Sequence, residues 1–462
     1  MDIVKIKLIY FLGIGGIGMS ALARYFNHYK IKVAGYDKTE TALTKELSRE
    51  GIEIHYTENT ELLQSYLSKL NKQDVLIVYT PAVPKEHAEY KYLVQNAYTI
   101  KKRSEVLGEI TKQFKTIAVA GTHGKTTTSS LIAHLLKTAG IDCYAFLGGI
   151  TKNYNTNLLL GKETEKDKTY IVVEADEYDR SFLTLHPDIA VITSVDADHL
   201  DIYGDIKYMH ESYTLFAHQV KNNGILIVKK NVDKTLKLGS KRLTYAVTLK
   251  ADYNTQNVRI ENGNFLYDVI CPDRVINHVQ LGLPGLHNVE NSIAAVAVAR
   301  QLGITDEQIK NALRSFQGVK RRFEYRVKKN DVVYIDDYAH HPEELKAAIG
   351  AAKQLYPDKK ITGIFQPHLF SRTRDFADGF AESLDMLDEA ILLDIYPARE
   401  LPIQGVNSQM LLDKMKSKNK VLLKKTDVLE YIRQMQPTVL MTLGAGDIDT
   451  LVEPLEKLLA AR

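Results

Sequence analysis

At 462 residues the chain is too long for one ordinary domain, and roughly 100 to 200 residues per domain predicts two to four, with three as the central value. Hydrophobic residues at 45% and charged residues at 25% are typical of a globular protein with an ample core, which excludes disordered, collagen-like and coiled-coil chains. A net charge of +3, from 60 basic and 57 acidic residues, lacks the concentrated basic excess of a nucleic-acid binder, so a polyanionic ligand must be met by local sites.

The run IVKIKLIYFL (3–12) predicts a strand rather than a signal peptide, because it leads into a glycine loop and not into a small-residue cleavage site. No other stretch of about 18 apolar residues is present to span a membrane. Gly13, Gly15, Gly16 and Gly18 follow in a GxGxxG pattern, and residues 17–29 have helical spacing. In that strand-turn-helix setting, backbone N–H groups and a helix N-terminus can hold a diphosphate. Asp37 closes the next expected strand (31–37), where a ribose-binding carboxylate is expected. Further strand-helix alternation runs through 75–84 and predicts a parallel sheet.

Near residue 110 the pattern restarts. A strand at 116–121 precedes Gly121-Thr122-His123-Gly124-Lys125-Thr126-Thr127-Thr128, the GK[ST] end of a phosphate loop. Lys125 would meet the β and γ phosphates and the Thr126 hydroxyl would face Mg²⁺. The full GxxxxGK[ST] pattern fails, since its first glycine would fall at Val119. Expected strands at 169–176 and 187–195 carry acids at their C-terminal ends: Glu174, Asp176 and Glu177 after the first, and Asp196, Asp198 and Asp201 with His199 after the second. Taken as neighbouring parallel strands, they would converge oxygen-rich groups suited to Mg²⁺. Residues 223–281 read as a short-stranded, turn-rich antiparallel insert, and 287–302 as a helix.

A third restart begins near 318, with strands at 331–337, 360–366 and 389–396, helices at 342–355 and 374–386, and a closing strand at 439–447. Asp336-Asp337-Tyr338-Ala339-His340-His341-Pro342 ends one strand, and Gln366-Pro367-His368 with Ser371-Arg372-Thr373-Arg374 ends the next. Adjacent histidines rarely both ligate one metal, so His340-His341 is not read as a zinc site. Arg372 and Arg374 offer planar forks for a carboxylate or phosphate. Cys143 and Cys271 have no CxxC spacing, which fits a reducing cytoplasm without disulfides or cysteine-built zinc.

GTHGKTTT, EADEYDRSF, TSVDADHLDIY, HNVENS, RRFE, DDYAHHPEE and FQPHLFSRTRDF occur in the order and approximate spacing of the Mur ligases of bacterial cell-wall synthesis, which the chain resembles over essentially all its length. The resemblance implies three consecutive α/β domains: an N-terminal Rossmann-like UDP-binding domain (1–110), a central P-loop-type ATPase domain (111–317) and a C-terminal Rossmann-like domain (318–462). It implies a cytoplasmic, Mg²⁺-using ligase of peptidoglycan precursor synthesis that joins L-alanine to the carboxylate of UDP-N-acetylmuramate, with ATP forming an acyl phosphate. Neither nucleic acid nor membrane insertion enters this reading.

By matching motifs, the resemblance implies ATP binding by Gly121, Thr122, His123, Gly124, Lys125, Thr126, Thr127, His287, Asn288, Asn291, Arg322 and Asp337. Mg²⁺ falls to Thr126, Glu174 and His199, and the UDP-sugar to Gly15, Gly16, Gly18 and Asp37. The amino-acid pocket falls to Tyr338, His340, Arg372 and Arg374, and the reaction itself to Lys125, His199, His340, Arg372 and Arg374. GIGGIGMS and DDYAHHP favour the alanine-adding member. Leu369, where several relatives are basic, and YPARE (396–400) depart from the pattern and keep a tripeptide-adding recycling ligase as the alternative. The first loop alone would suit an NAD-dependent oxidoreductase, and the second alone a nucleotide-binding switch.

Overall fold

The computed structural model describes residues 5–162, 168–198, 200–239, 242–398 and 400–462, the side chains of 200 and 201 aside. Its strands form three large sheets in series along the chain, each flanked by helices.

The first sheet has the order Glu53–His55, Lys32–Tyr36, Leu8–Leu12, Val75–Tyr79, Ile100–Lys102, all parallel. Every residue of the central strand LIYFL is buried, as a strand covered on both faces requires. The order reverses between Leu8–Leu12 and Val75–Tyr79, so the glycine loop after Leu12 emerges at the switch point where nucleotides bind in such sheets. Gly13 and Ile14 donate their N–H groups to Tyr36 O, and Thr80 donates to Leu12 O.

The second sheet runs Leu243–Tyr245, Ile225–Lys229, Ile189–Ile192, Lys115–Ala120, Tyr170–Glu174, Cys143–Thr151, Thr156–Leu159, parallel except for the last pair. The acid-bearing strands at 170–174 and 189–192 are not neighbours of each other but flank the phosphate-loop strand on either side, which brings both sets of acids beside that loop. The stretch 223–281 is not one insert: its first two strands extend the parallel sheet, and only Asn254–Glu261, Asn264–Ile270 and Val275–Leu281 form a separate three-stranded sheet. Apolar alternation cannot tell a short edge strand from an insert, because both show one covered face.

The third sheet has the order Glu324–Lys328, Val333–Asp337, Val439–Leu443, Ile361–Phe365, Glu389–Leu392, Lys420–Leu422, antiparallel only at the first pair. The helix expected at 374–386 is instead two, Phe370–Asp375 and Ala377–Leu384, broken at Phe376.

Packing divides the chain into two compact units: residues 1–255, 269–276 and 291–313, and residues 256–268, 277–290 and 314–462. The first two sheets share a unit because one hydrophobic cluster joins them, with Tyr25 and Phe26 of the helix Ile17–His28 in the same core as Tyr144 and Phe146. Polar contacts reinforce the seam. Asn157, fully buried, accepts from Arg24 Nη1 at 2.5 Å and donates to Ile17 O and Ser20 Oγ at 2.6 and 2.9 Å. Asn157→Ala would strip these bonds and leave the buried Arg24 with Glu46 and Glu50 only, so it is expected to cost about 2–4 kcal/mol, read by urea denaturation. A loss below about 0.5 kcal/mol would contradict this seam.

Candidate active site

The phosphate loop joins the strand Lys115–Ala120 to the helix Lys125–Thr138. Gly121 (φ +137°) and Gly124 (φ +80°) take conformations that L side chains avoid, and a Cβ on Gly121 would stand 2.0 Å from Thr193 Oγ1. Thr193 Oγ1 donates to His123 O, Ser194 Oγ accepts from His123 N at 2.8 Å, and the Thr122 and Ser194 hydroxyls lie 2.9 Å apart. The neighbouring strand's exit thus fixes the loop shape. Gly124 caps the helix without a side-chain partner, and a Cβ there would meet Asn291 Oδ1 at 2.6 Å, so Asn291 lines the same loop.

Lys125 Nζ donates to Gly121 O at 2.6 Å and to Glu177 at 2.9 Å. Burial opposes its charge, but Glu177, Glu174 and Asp176 outweigh burial and push Lys125 up to about 12. Burial raises Glu177, and Lys125 opposes that rise. Thr126 and Thr127 start the helix. Glu174 lies at the end of its strand against Gly148, and its Oε2 is buried with no hydrogen-bond partner. His199, expected as a metal ligand and catalytic group, lies outside the described residues. Asp176 is committed elsewhere: Oδ1 accepts from Tyr178 N and Oδ2 from Arg103 Nη2.

At the glycine loop, Asp37 Oδ2 accepts from Gly15 N at 2.7 Å and Oδ1 from Thr39 N at 3.1 Å, so this carboxylate braces the loop. Gly16 caps the helix Ile17–His28, whose first turn has no side-chain cap and no acid. Those N–H groups suit an anion.

The second unit gathers another set. Asp337, 7% exposed, accepts from Phe323 N and Ala339 N, each at 2.7 Å, and burial pushes it up to about 6 against the pull of Arg322. The Arg321 and Arg322 guanidinium groups each lie 5.2 Å from the Tyr338 ring centre. His340 Nδ1 lies 3.0 Å from Tyr338 O and 3.1 Å from Glu344 Oε2, and its ring packs edge-on to Tyr338 and to His368. The two adjacent histidines separate in role: His341 caps the helix Pro342–Leu355 through Glu343 N and packs on Phe376.

Arg372 is buried, whereas Arg374 is more than half exposed and pairs with Asp375, so the two arginines are not an equivalent clamp. Leu369 stands at φ +69° and donates to Tyr396 O, tying the sequence departure at 369 to the segment 396–400, of which residue 399 lies outside the described residues. Asn288 donates to Pro284 O, a bond that organises its own turn. Burial and Arg322 push His287 down to about 4, so its imidazole is neutral at pH 7. The group contributes stability above its unfolded pKa near 6.5 that is lost as pH falls toward 4. Its NMR ring shifts are expected to stay constant from pH 8 to 5.5; a titration midpoint above 6 would contradict this environment.

Sequence reading missed Glu177 as the lysine's partner, Thr193 and Ser194 as the loop's frame, Arg103 beside Asp176, and Arg321 and Glu344 beside Tyr338 and His340. EADE held the signal for Glu177. Its reach depends on the turn 176–180, where Asp179 and Arg180 both adopt left-handed φ.

Three family models match in series: the Mur ligase catalytic domain at 8–115, the Mur ligase middle domain at 119–299, and the Mur ligase glutamate ligase domain at 321–448. The UDP-N-acetylmuramate--L-alanine ligases of Flavobacterium johnsoniae and Parabacteroides distasonis are each 49% identical, the first over 99% of both chains and the second over 99% of this chain and 98% of its own. A crystal structure of the UDP-N-acetylmuramate-alanine ligase of Thermotoga maritima has 26% identity and a TM-score of 0.81, covering 98% of this chain and 99% of that one. The murein peptide ligase of Psychrobacter arcticus shares the fold at 22% identity, with a TM-score of 0.71 and 99% coverage of each chain. The chain belongs to the Mur ligase family, with three consecutive α/β domains.

Proposed function

We propose that this chain is an ATP-dependent acid–amino-acid ligase that joins L-alanine to the carboxylate of UDP-N-acetylmuramate through an acyl phosphate, in peptidoglycan precursor synthesis. The full-length 49% identity to ligases of that name is the observation that carries this reading. The tripeptide-adding alternative is supported by likeness of fold alone, at 22% identity. Domain boundaries are placed at 1–110, 111–317 and 318–462. No helix among the described residues is long and apolar enough to cross a membrane, and this reading puts the chain in the cytoplasm.

In this reading the loop 121–127 and the helix N-terminus behind Gly124 cradle the ATP phosphates, Asn291 borders the loop, and Lys125 neutralises charge developing on the transferred phosphoryl group. Mg²⁺ fits the residues present: Glu174 offers a buried, unpartnered carboxylate oxygen and Thr126 a hydroxyl, both hard oxygen donors. Among the described residues no three His, Cys, Asp or Glu side chains form a metal-binding group; Mg²⁺ ordinarily takes one or two carboxylates and completes its shell with phosphate and water. When bound, the ion supplies further neutralisation of the phosphates.

His287, Asn288, Arg322 and Asp337 are assigned to the adenosine side, and Gly15, Gly16, Gly18 and Asp37 to the UDP moiety. His340, with Nδ1 turned to Tyr338 O and Glu344, keeps Nε2 as the acceptor for the proton that alanine's ammonium must lose before attack. Tyr338, Arg372 and Arg374 are assigned to the amino-acid side.

The test is phosphate release measured with ATP, UDP-N-acetylmuramate and each of the twenty amino acids or L-alanyl-γ-D-glutamyl-meso-diaminopimelate. Release is expected with alanine, abolished by a chelator and restored by Mg²⁺. Turnover with the tripeptide and none with alanine would overturn the substrate assignment, and equal turnover in chelator would overturn the metal.

A further inference from the structure

Arg103 opens the helix Arg103–Thr111, and its guanidinium lies across the first turn of the helix Ile17–His28. A Cβ on Gly18 would stand 2.9 Å from Arg103 Nη1 and 3.0 Å from its Cδ, so a larger residue there would push the side chain from its present place. A cation is thereby placed at the positive end of its own helix and of the glycine-loop helix, against the preference of both dipoles. Asp176 offsets this from one side only, through Nη2 at 3.1 Å. Among the described residues Nη1 and Nε have no hydrogen-bond partner, and the side chain is about one-fifth exposed. Two N-terminal turns and a guanidinium whose Nη1 faces them with no partner make an arrangement completed by an anion carrying several oxygens.

We infer that Arg103 is a ligand of the sugar-nucleotide diphosphate, donating from Nη1, the nitrogen nearest the glycine-loop helix, while Asp176 holds Nη2. The inference rests on the assignment of the glycine loop to the UDP moiety and adds a cationic side chain to the backbone N–H groups and Asp37 already assigned there. Asp176 also accepts from Tyr178 N in the turn that carries Glu177 to Lys125, so the grip that orients Arg103 is built on the same turn as the lysine's partner. Arginine suits this place better than lysine, because its planar fork holds the carboxylate at one nitrogen and presents another, about 2 Å away, to the phosphate, whereas an ammonium's donors all radiate from one atom.

The test is calorimetric titration of the intact chain and of its Arg103→Gln and Arg103→Lys variants with UDP, with UDP-N-acetylmuramate and with ATP. Arg103→Gln is expected to bind both uridine nucleotides ten- to a hundredfold more weakly and ATP within twofold of the unmodified chain, and Arg103→Lys to recover part of the loss. Uridine-nucleotide affinity within threefold of the unmodified chain in Arg103→Gln would overturn the inference, as would equal loss of UDP and ATP binding in both variants. Failure of the unmodified chain to bind UDP at all would instead overturn the glycine-loop assignment itself.

Discussion

Lys125→Ala is expected to lower kcat by about a thousandfold or more, since in the proposed reaction this lysine neutralises the transferred phosphoryl group and its loss forfeits roughly 4 kcal/mol of transition-state stabilisation. The substitution also leaves Glu177 buried without its lysine, and a carboxylate with one side chain removed from a buried pair destabilises the fold. The two effects separate in the double variant Lys125→Ala/Glu177→Gln. Replacing the carboxylate by a neutral amide removes the uncompensated charge, so thermal stability should return most of the way while turnover stays at the Lys125→Ala level. Steady-state phosphate release and a melting curve on the three chains check this. A double variant that regained activity with stability would mean that Lys125 acts through folding alone.

The second large effect is expected at Gly121. Its φ of +137° and the 2.0 Å approach of a Cβ to Thr193 Oγ1, with Ser194 N at 2.8 Å, leave no conformation in which alanine fits the present loop. Because one of those obstacles is backbone, trimming Thr193 does not relieve it. Gly121→Ala should cost about 3 kcal/mol or more of stability and weaken ATP binding at least a hundredfold, as the loop moves off the strand exit that shapes it. Gly140 provides the control. It also has positive φ, at +78°, but nothing lies within 4 Å of an added Cβ, so Gly140→Ala should cost only about 1 kcal/mol and leave ATP binding unchanged. Denaturant unfolding and calorimetry on the pair separate loop sterics from simple backbone strain. Equal behaviour of the two variants would contradict the steric account.

What was legible in the sequence follows from where the signal is local. The strand LIYFL and the helix after it announce themselves through an unbroken apolar run, a glycine turn and helical spacing, and GTHGKTTT carries its chemistry within eight residues. The order of strands in a sheet is not local. Nothing in the sequence places Ile189–Ile192 and Tyr170–Glu174 on opposite sides of Lys115–Ala120, and yet that placement brings Thr193 and Ser194 to the loop from one side and Glu174 and Glu177 from the other. The break at Phe376 was hidden because apolar residues on either side continue a helical spacing, and Leu369, with positive φ, starts the first of the two helices one turn earlier than the pattern suggests. The paired arginines looked alike for the same reason: spacing two apart in sequence says nothing about Asp375 claiming Arg374 while Arg372 turns inward. Arg103 gave no motif at all, being an ordinary basic residue whose meaning depends on Gly18, far away in the chain.

In the proposed reaction ATP passes its terminal phosphoryl group to the muramate carboxylate before alanine attacks. This order of steps is tested most directly by turning over UDP-N-acetylmuramate labelled with ¹⁸O in that carboxylate, with ATP and L-alanine, and weighing the inorganic phosphate released. One labelled oxygen should appear in each phosphate, because the acyl phosphate breaks with its bridging carboxylate oxygen leaving on phosphorus, and ADP should accumulate in equal amount. Unlabelled phosphate, or release of AMP in place of ADP, would contradict the account.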